Sequence, residues 1–433
     1  MTELVSLPII LIALLLLFLT GIELAYGMAI MGIIGFSLLA SLGGAENMLA
    51  KDLLGTFSSY GFTVVPLFVL MGQVAFNAGV AEDIYDAAHK MIGYVSGGLA
   101  LATVVAATAF KTVCGSTTAT VATFSSVAIP QMDKYGYDRK LSTGVTAVLG
   151  TLGILMPPSV VLIIFGLITE QPIGPLFLAS LFPALLLSFL FACVIIGWCR
   201  INPSLGPRSE RYPLKEILFS LKGILAPLVI FFIVLAGLMY GFFTPTEAGS
   251  VGALSVILLG LLKGQLTAER FKKSVIESLR TSCMVIMLIA GSVILGRWLS
   301  ITNTPQIMSD WIGQLPIHRS LIIVLICLVY LLGGSFIDDL AFLILATPVF
   351  FPTILKLGYD PKWACVVLCL TIMIGSVIPP VAICVFIVKN ITKVPMSTIY
   401  KGVYPFLISL VLCVLLVFLF PQIVLFLPAY FAK

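Results

Sequence analysis

Pro157-Pro158 and Pro379-Pro380 each interrupt a long apolar stretch, "GTLGILMPPSV" (Gly150–Val160) and "IGSVIPPVA" (Ile374–Ala382), and they lie 222 positions apart (379 − 157). A proline removes a backbone donor and its ring clashes with the preceding turn, so no continuous helix runs through either place. The same offset pairs Pro130 with Pro352, Lys134 with Lys356, Gly136-Tyr137-Asp138 with Gly358-Tyr359-Asp360, Lys140 with Lys362, Gly153 with Gly375 and Pro183 with Pro405. Upstream the register drifts: Gly72/Gly291, Gly115/Gly334 and Ser116/Ser335 fall at 219, and Gly32/Gly252 at 220. Prolines and glycines carry most of the identities, so chance matching of apolar letters does not explain them. The chain is two homologous halves, near 1–215 and 216–433.

With 60% hydrophobic and 10% charged residues among 433, the chain is too apolar for a water-soluble globule, where about half is usual. Runs such as Val5–Thr20, Gly61–Phe76, Leu185–Trp198, Ile224–Tyr240 and Leu407–Leu427 approach the roughly 20 residues that cross a bilayer. No basic segment followed by a small-residue cleavage site opens the chain, so no cleaved signal is expected. Two histidines, His89 and His318, stand without carboxylate or thiol clusters, which leaves little material for metal or triad chemistry. No G-x-x-x-x-G-K-[ST] loop is present, so ATP is not this chain's energy source. Cys365 and Cys369, one helical turn apart, are read as packing thiols. No enzyme, cofactor or nucleic-acid role is expected.

Charge sets an orientation. The basic connectors Lys134–Lys140, Arg200–Lys222 and Lys263–Arg280 face the cytoplasm by the positive-inside rule. Following the chain, "KLGYDPK" (Lys356–Lys362) then lands outside while its counterpart lands inside, so the repeats are inverted. The N-terminus is placed on the periplasmic side of a bacterial inner membrane. The fold expected is all-α and polytopic, with ten to eleven spanning helices, two re-entrant hairpins and helices broken at the midplane. Residues 1–60 are scaffold of repeat one. Residues 61–200 are its transport elements, with a hairpin over 94–131 and a broken helix over 139–170. Residues 201–280 are a cytoplasmic loop and the scaffold of repeat two. Residues 281–433 hold the second hairpin (318–355), the second broken helix (361–388) and a C-terminal helix.

Irregular backbone at membrane depth is tolerated only where protein covers it or it lines a wet site. Each half has two such places: the Pro-Pro break, and a pair of short apolar runs meeting at a polar tip, "KTVCGSTTAT" (Lys111–Thr120) and "GGSFIDD" (Gly333–Asp339). Freed carbonyls beside hydroxyls suit a hard cation, and the N-termini of half-helices suit an anion. One sodium site is therefore expected from Gly115, Ser116, Thr117 and Thr118 with Gly150, Gly153 and Met156. A second is expected from Gly334, Ser335 and Asp338 with Gly375 and Ile378. An anionic substrate between them would meet Thr118, Ser159 and Asp338. Lys111 either pairs with that anion or snorkels toward the cytoplasm, while Asp339 is read as reaching solvent. Thr244 and Glu247 in "TPTEA" form a helix start, and Arg297 is read as an interface anchor. The amphipathic stretches Val80–Val95 and Asn303–Pro316 would lie in the interface plane as arms. The expected motion is an elevator in which hairpins and broken helices move against Val5–Ala40 and Ile224–Leu262.

"GSTTATVATFSSVAIPQMDKYGYD", "GTLGILMPPSV", "TPTEA" and "GSFIDDLAFLILATPVFFP" together resemble the large membrane subunit of tripartite ATP-independent periplasmic (TRAP) transporters, over the full chain. The resemblance implies sodium-coupled uptake of an organic acid delivered by a periplasmic binding protein. It also implies a small four-helix membrane subunit, here a separate chain, since this sequence begins directly at the large-subunit region. Sodium at each hairpin tip and facing break, with the hairpin aspartate falling on Asp338, is likewise implied. The tip Gly115–Thr120 departs from the Gly-Ser-Ala-Leu-Ala-Asp of sialic-acid members and points to a smaller carboxylate or sulfonate. A stand-alone sodium–dicarboxylate symporter and a passive anion channel are the competing functions.

Overall fold

The computed structural model describes residue 17, residues 21–313 and residues 316–431. Every regular element among them is helical. The run Val5–Thr20, apart from Leu17, and the side on which the N-terminus lies fall outside the described residues. Nine described helices are long and apolar enough to cross a membrane.

Polar residues at the helix starts explain many of the boundaries. Thr244 caps the helix Pro245–Leu262 through a capping box: its hydroxyl accepts from Glu247 N at 3.3 Å, and the Glu247 carboxylate accepts from Thr244 N at 2.8 Å. Asp138 and Asp360, equivalent by the repeat, cap the two broken helices alike, accepting from Lys140 N at 2.7 Å and Lys362 N at 2.8 Å. The first broken helix runs as Arg139–Leu149, the short turn Leu152–Leu155, a non-helical stretch at Met156–Ser159 and then Val160–Ile168. The second runs as Pro361–Gly375, a non-helical stretch, and Ile383–Thr392. Both double prolines carry a cis peptide bond.

The hairpins are Gly98–Lys111 with Thr117–Lys134, and Arg319–Phe336 with Asp339–Lys356. Their arms exceed the apolar runs, because tip residues such as Lys111, Thr117 and Phe336 and charged residues at the open ends such as Lys134, Arg319 and Lys356 are helical. Both arms of the second hairpin have 18 residues, about 27 Å at 1.5 Å per residue, and count among the nine long helices. Their shared tip nonetheless lies at the central cavity described below. The amphipathic stretches form the helices Val80–Ile92 and Thr304–Gly313, each packed on an arm of the hairpin that follows it. The run Leu407–Leu427 does not form one helix: Met396–Leu419 ends before Pro421, and Gln422–Phe431 begins after it.

The halves interlock. Leu24–Leu39 packs on Ala268–Ile301, and the counterpart helix Pro245–Leu262 packs on Val64–Asn77. Arg139–Leu149 packs on Met396–Leu419, and its counterpart Pro361–Gly375 packs on Ile173–Ile201. Small residues allow these approaches. A Cβ on Gly402 would stand 1.9 Å from the Lys140 carbonyl oxygen, and one on Gly144 would stand 2.3 Å from the Gly402 carbonyl carbon. Backbone cannot rotate out of the way, so Gly402→Ala is expected to lower stability by about 1–3 kcal/mol, read as a drop in melting midpoint of the purified protein. Gly296→Ala, which meets nothing within 4 Å, is expected to leave the midpoint in place.

Arg297 does more than anchor a helix end. Its guanidinium donates to both carboxylate oxygens of the buried Asp52, with Nε–Oδ2 and Nη2–Oδ1 both at 3.0 Å. That fork ties Ala268–Ile301 to the helix Leu42–Phe57. His89, on Val80–Ile92, is buried against Tyr135 and Tyr212 with Nε2 3.2 Å from the Ser209 hydroxyl. Burial, the largest influence, holds its imidazole below the ordinary value of 6.5, partly opposed by the Asp86 charge. A base whose folded pKa is depressed contributes stability that is complete above about 6.5 and shrinks as the pH falls below it. The melting midpoint is therefore expected to fall more between pH 7.5 and 5.5 in the native chain than in His89→Gln.

Candidate functional site

The two hairpin tips, drawn from opposite halves, meet at one cavity of about 160 Å³. Cys114–Thr118 of the first tip and Asp338–Leu340 of the second form two of its walls. Val160 and Val161 follow the first break into it, and Ser376 and Ile383 bracket the second break. The remaining wall comes from Val64–Asn77 (Phe68, Val69, Gly72, Gln73) and from Thr281, Met284 and Val285 of the long helix Ala268–Ile301.

Four half-helices begin here. The first residues of Thr117–Lys134, Val160–Ile168, Asp339–Lys356 and Ile383–Thr392 all line the cavity. A helix N-terminus presents orphan amides and the positive end of its dipole. Three of the four are capped by a side chain from the tip or break itself. Ser116 accepts from Ala119 N, Ser159 accepts from Leu162 N, and Asp338 accepts from Leu340 N at 3.2 Å and Ala341 N at 3.4 Å. Asp338 is exposed, and it lines the cavity. Among the described residues no lysine or arginine lines the cavity, so positive potential for an anion comes from backbone. The hydroxyls of Ser116, Thr117, Thr118, Thr281 and Ser376, the Asp339 carboxyl group and the Gln73 amide supply the other polar groups.

Each tip rests on the break of its own half. A Cβ on Gly115 would stand 2.7 Å from the Pro158 carbonyl oxygen. In the second half, Val381 N donates to the Ser335 carbonyl at 3.1 Å, and a Cβ on Gly375 would stand 2.5 Å from the Gly334 carbonyl carbon. The carbonyl ends of Gly98–Lys111, Leu152–Leu155, Arg319–Phe336 and Pro361–Gly375 therefore gather at the flanks, while the amide ends gather at the centre.

The sequence as a whole matches the family described as "Tripartite ATP-independent periplasmic transporter, DctM component" over residues 11–423. The chain belongs to that family. It is a TRAP large permease, a multi-pass membrane component of a transporter. It is 32% identical over 381 residues to the C4-dicarboxylate TRAP transporter large permease protein DctM of Pseudomonas aeruginosa, covering 88% of this chain and 89% of that one. It is 31% identical over 392 residues to the sialic acid TRAP transporter large permease protein SiaM of Vibrio cholerae, covering 89% and 90%. In fold it is similar to the crystal structure of the Alcanivorax borkumensis YdaH transporter, with TM-score 0.65, 14% identity, and coverage of 87% of this chain and 89% of that one.

Within the permease, Gly115, Ser116, Thr117, Thr118 and Asp338 line the cavity. Gly150, Gly153 and Met156 lie in the first break behind the first tip, and Gly334, Ser335, Gly375 and Ile378 lie where the second tip meets the second break. Ser159 is fully buried and spends its hydroxyl on the helix cap, outside the cavity lining. Lys111 is fully buried too; it neither snorkels nor lines the cavity, and its ammonium donates to the Ser116 carbonyl at 2.8 Å. Asp339, read from sequence as reaching solvent, is only 6% exposed, with Oδ1 lacking a hydrogen-bond partner. It starts its helix one residue after the cap, and that position turns it inward. Gln73, Thr281 and Ser376 join the cavity without having been foreseen. Gln73 carried the usable signal, since a lone amide in an apolar run at membrane depth is a functional candidate.

Proposed function

We propose that the permease takes up a small organic anion across a bacterial inner membrane together with sodium, receiving the anion from a secreted binding protein and working beside a small membrane subunit. The convergence of four helix N-termini on one cavity, with no basic side chain in its lining, is the observation that carries this reading. Amide ends at the centre suit a carboxylate or sulfonate, and carbonyl ends at the flanks suit a hard cation that offsets Asp338. At about 160 Å³ the cavity favours a compact anion. The relatives differ in cargo, a C4-dicarboxylate for one and sialic acid for the other, so the class is proposed and no single acid. Hairpins and broken helices would carry the cavity past the outer helices as an elevator.

The test is uptake of radiolabelled dicarboxylates, keto acids and sulfonates into proteoliposomes holding both membrane subunits. Concentrative uptake that needs an inward sodium gradient and added binding protein is expected. Equal uptake without binding protein would favour a free-standing symporter. Equilibration without accumulation would mean a channel and would contradict the proposal.

A further inference from the structure

Lys111 is the one basic residue among the largest fully buried side chains. It closes the helix Gly98–Lys111, and its Nζ donates to the carbonyl of Ser116, the residue at the tip that caps the next helix. From the other side the break approaches just as closely. A Cβ on Gly153 would lie 1.9 Å from Nζ and 2.9 Å from the Lys111 Cε. The ammonium therefore sits between tip and break of repeat one, where it joins Thr120 N (3.3 Å) and Thr120 Oγ1 (3.0 Å) as a third donor to the Ser116 carbonyl. The tip and break of one half are the groups proposed to hold a cation.

The second half is built differently at this point. By the 219 offset the counterpart of Lys111 is Tyr330 (111 + 219), and its hydroxyl pairs with Thr347 at 3.2 Å, away from the tip. The counterpart of Ser116 is Ser335, whose carbonyl receives a backbone amide, Val381 N. Among the described residues no side-chain cation stands at the second tip.

We propose that the Lys111 ammonium is a tethered cation that occupies the repeat-one cation position, so that this permease takes sodium only in repeat two. Asp339, buried and with one carboxylate oxygen unpartnered, forms no ion pair with Lys111 among the described residues. The inference rests on the sodium reading above, and it departs from a two-sodium site by making the halves unequal in what holds their charge.

The experiment counts sodium. Equilibrium binding of ²²Na⁺ is measured on the purified complex of both membrane subunits, for the native chain and for Lys111→Ala and Lys111→Ser. About one ion per complex is expected in the native chain and about two in either variant, because removing the ammonium vacates the space between the Ser116 carbonyl and Gly153. The Hill coefficient of sodium-driven uptake should rise in step. Two ions in the native complex overturn the inference whether or not the variants fold, and leave the sodium reading standing. One ion in the native chain and still one in a folded variant also overturn it. No bound sodium in any of them overturns the sodium reading, and this inference with it.

Discussion

Asp338→Asn is expected to reduce sodium-driven uptake on the order of 100-fold, a loss of about 2.7 kcal/mol at 1.36 kcal/mol per tenfold, while the protein stays folded. Asp338 does two things at once: it caps Asp339–Lys356 by accepting from Leu340 N and Ala341 N, and it puts a carboxylate on the cavity. Asparagine caps about as well as aspartate, so this variant removes the charge and spares the helix start. Asp338→Ala removes both, and should lose about 1 kcal/mol of stability besides. Uptake and melting midpoint together separate the roles. Normal uptake in Asp338→Asn would take the charge out of the mechanism, and a collapse in stability there would make Asp338 a structural residue.

Gly375→Ala, a single added methyl, is expected to damage uptake severely by lifting the second tip off its break. The added Cβ would stand 2.5 Å from the Gly334 carbonyl carbon, 2.6 Å from Ser335 N and 2.7 Å from the Leu331 carbonyl oxygen. All three are backbone, so the tip must move off the break. Overpacking of this kind costs about 1–3 kcal/mol, but the larger consequence is positional. A shift near 1 Å in a binding constellation lowers rates by about 100-fold, and the Val381–Ser335 bond registers the tip on the break. Sodium should lose affinity along with the anion, so the uptake curve should move to higher sodium and also flatten. Gly43→Ala, whose Cβ meets nothing within 4 Å, is the matched control and should leave both curves unchanged. An unaltered sodium curve in Gly375→Ala would show that the break takes no part in holding the cation.

The parts of this architecture that the chain announces are those written in proline and glycine. The double prolines, the paired Gly-Tyr-Asp turns and the glycines at each tip have narrow backbone requirements, so their recurrence at fixed offsets marks the halves and the breaks. The capping box at Thr244 and Glu247 is similarly local, and it forms as expected. What stays hidden depends on distance or on side-chain direction. Asp52 and Arg297 are 245 residues apart, and nothing local to either residue marks the pair. Thr281 lies where a basic amphipathic segment passes into an apolar one, and no period distinguishes the face that meets the cavity. Asp339 misleads because a charge next to a turn is read as escaping to water, and Lys111, read either as pairing with the anion or as snorkelling, does neither: the tip folds each of them inward. The fracture at Pro421 was visible as a proline, yet a uniformly apolar run gives no sign of whether the helix bends or stops.

The account stands on the idea that at the second tip the chain gives up helical bonding in order to hold sodium against the anion cavity. A cryo-EM map of the transporter with its small subunit, recorded once in sodium and once in choline, tests that most directly. The account expects an ion-sized peak between the carbonyls of the Gly334–Ser335 tip and the Gly375–Ile378 break in sodium, and its loss in choline. Identical density in both, with helix continuous through Pro379-Pro380 or side chains filling the gap, would contradict it.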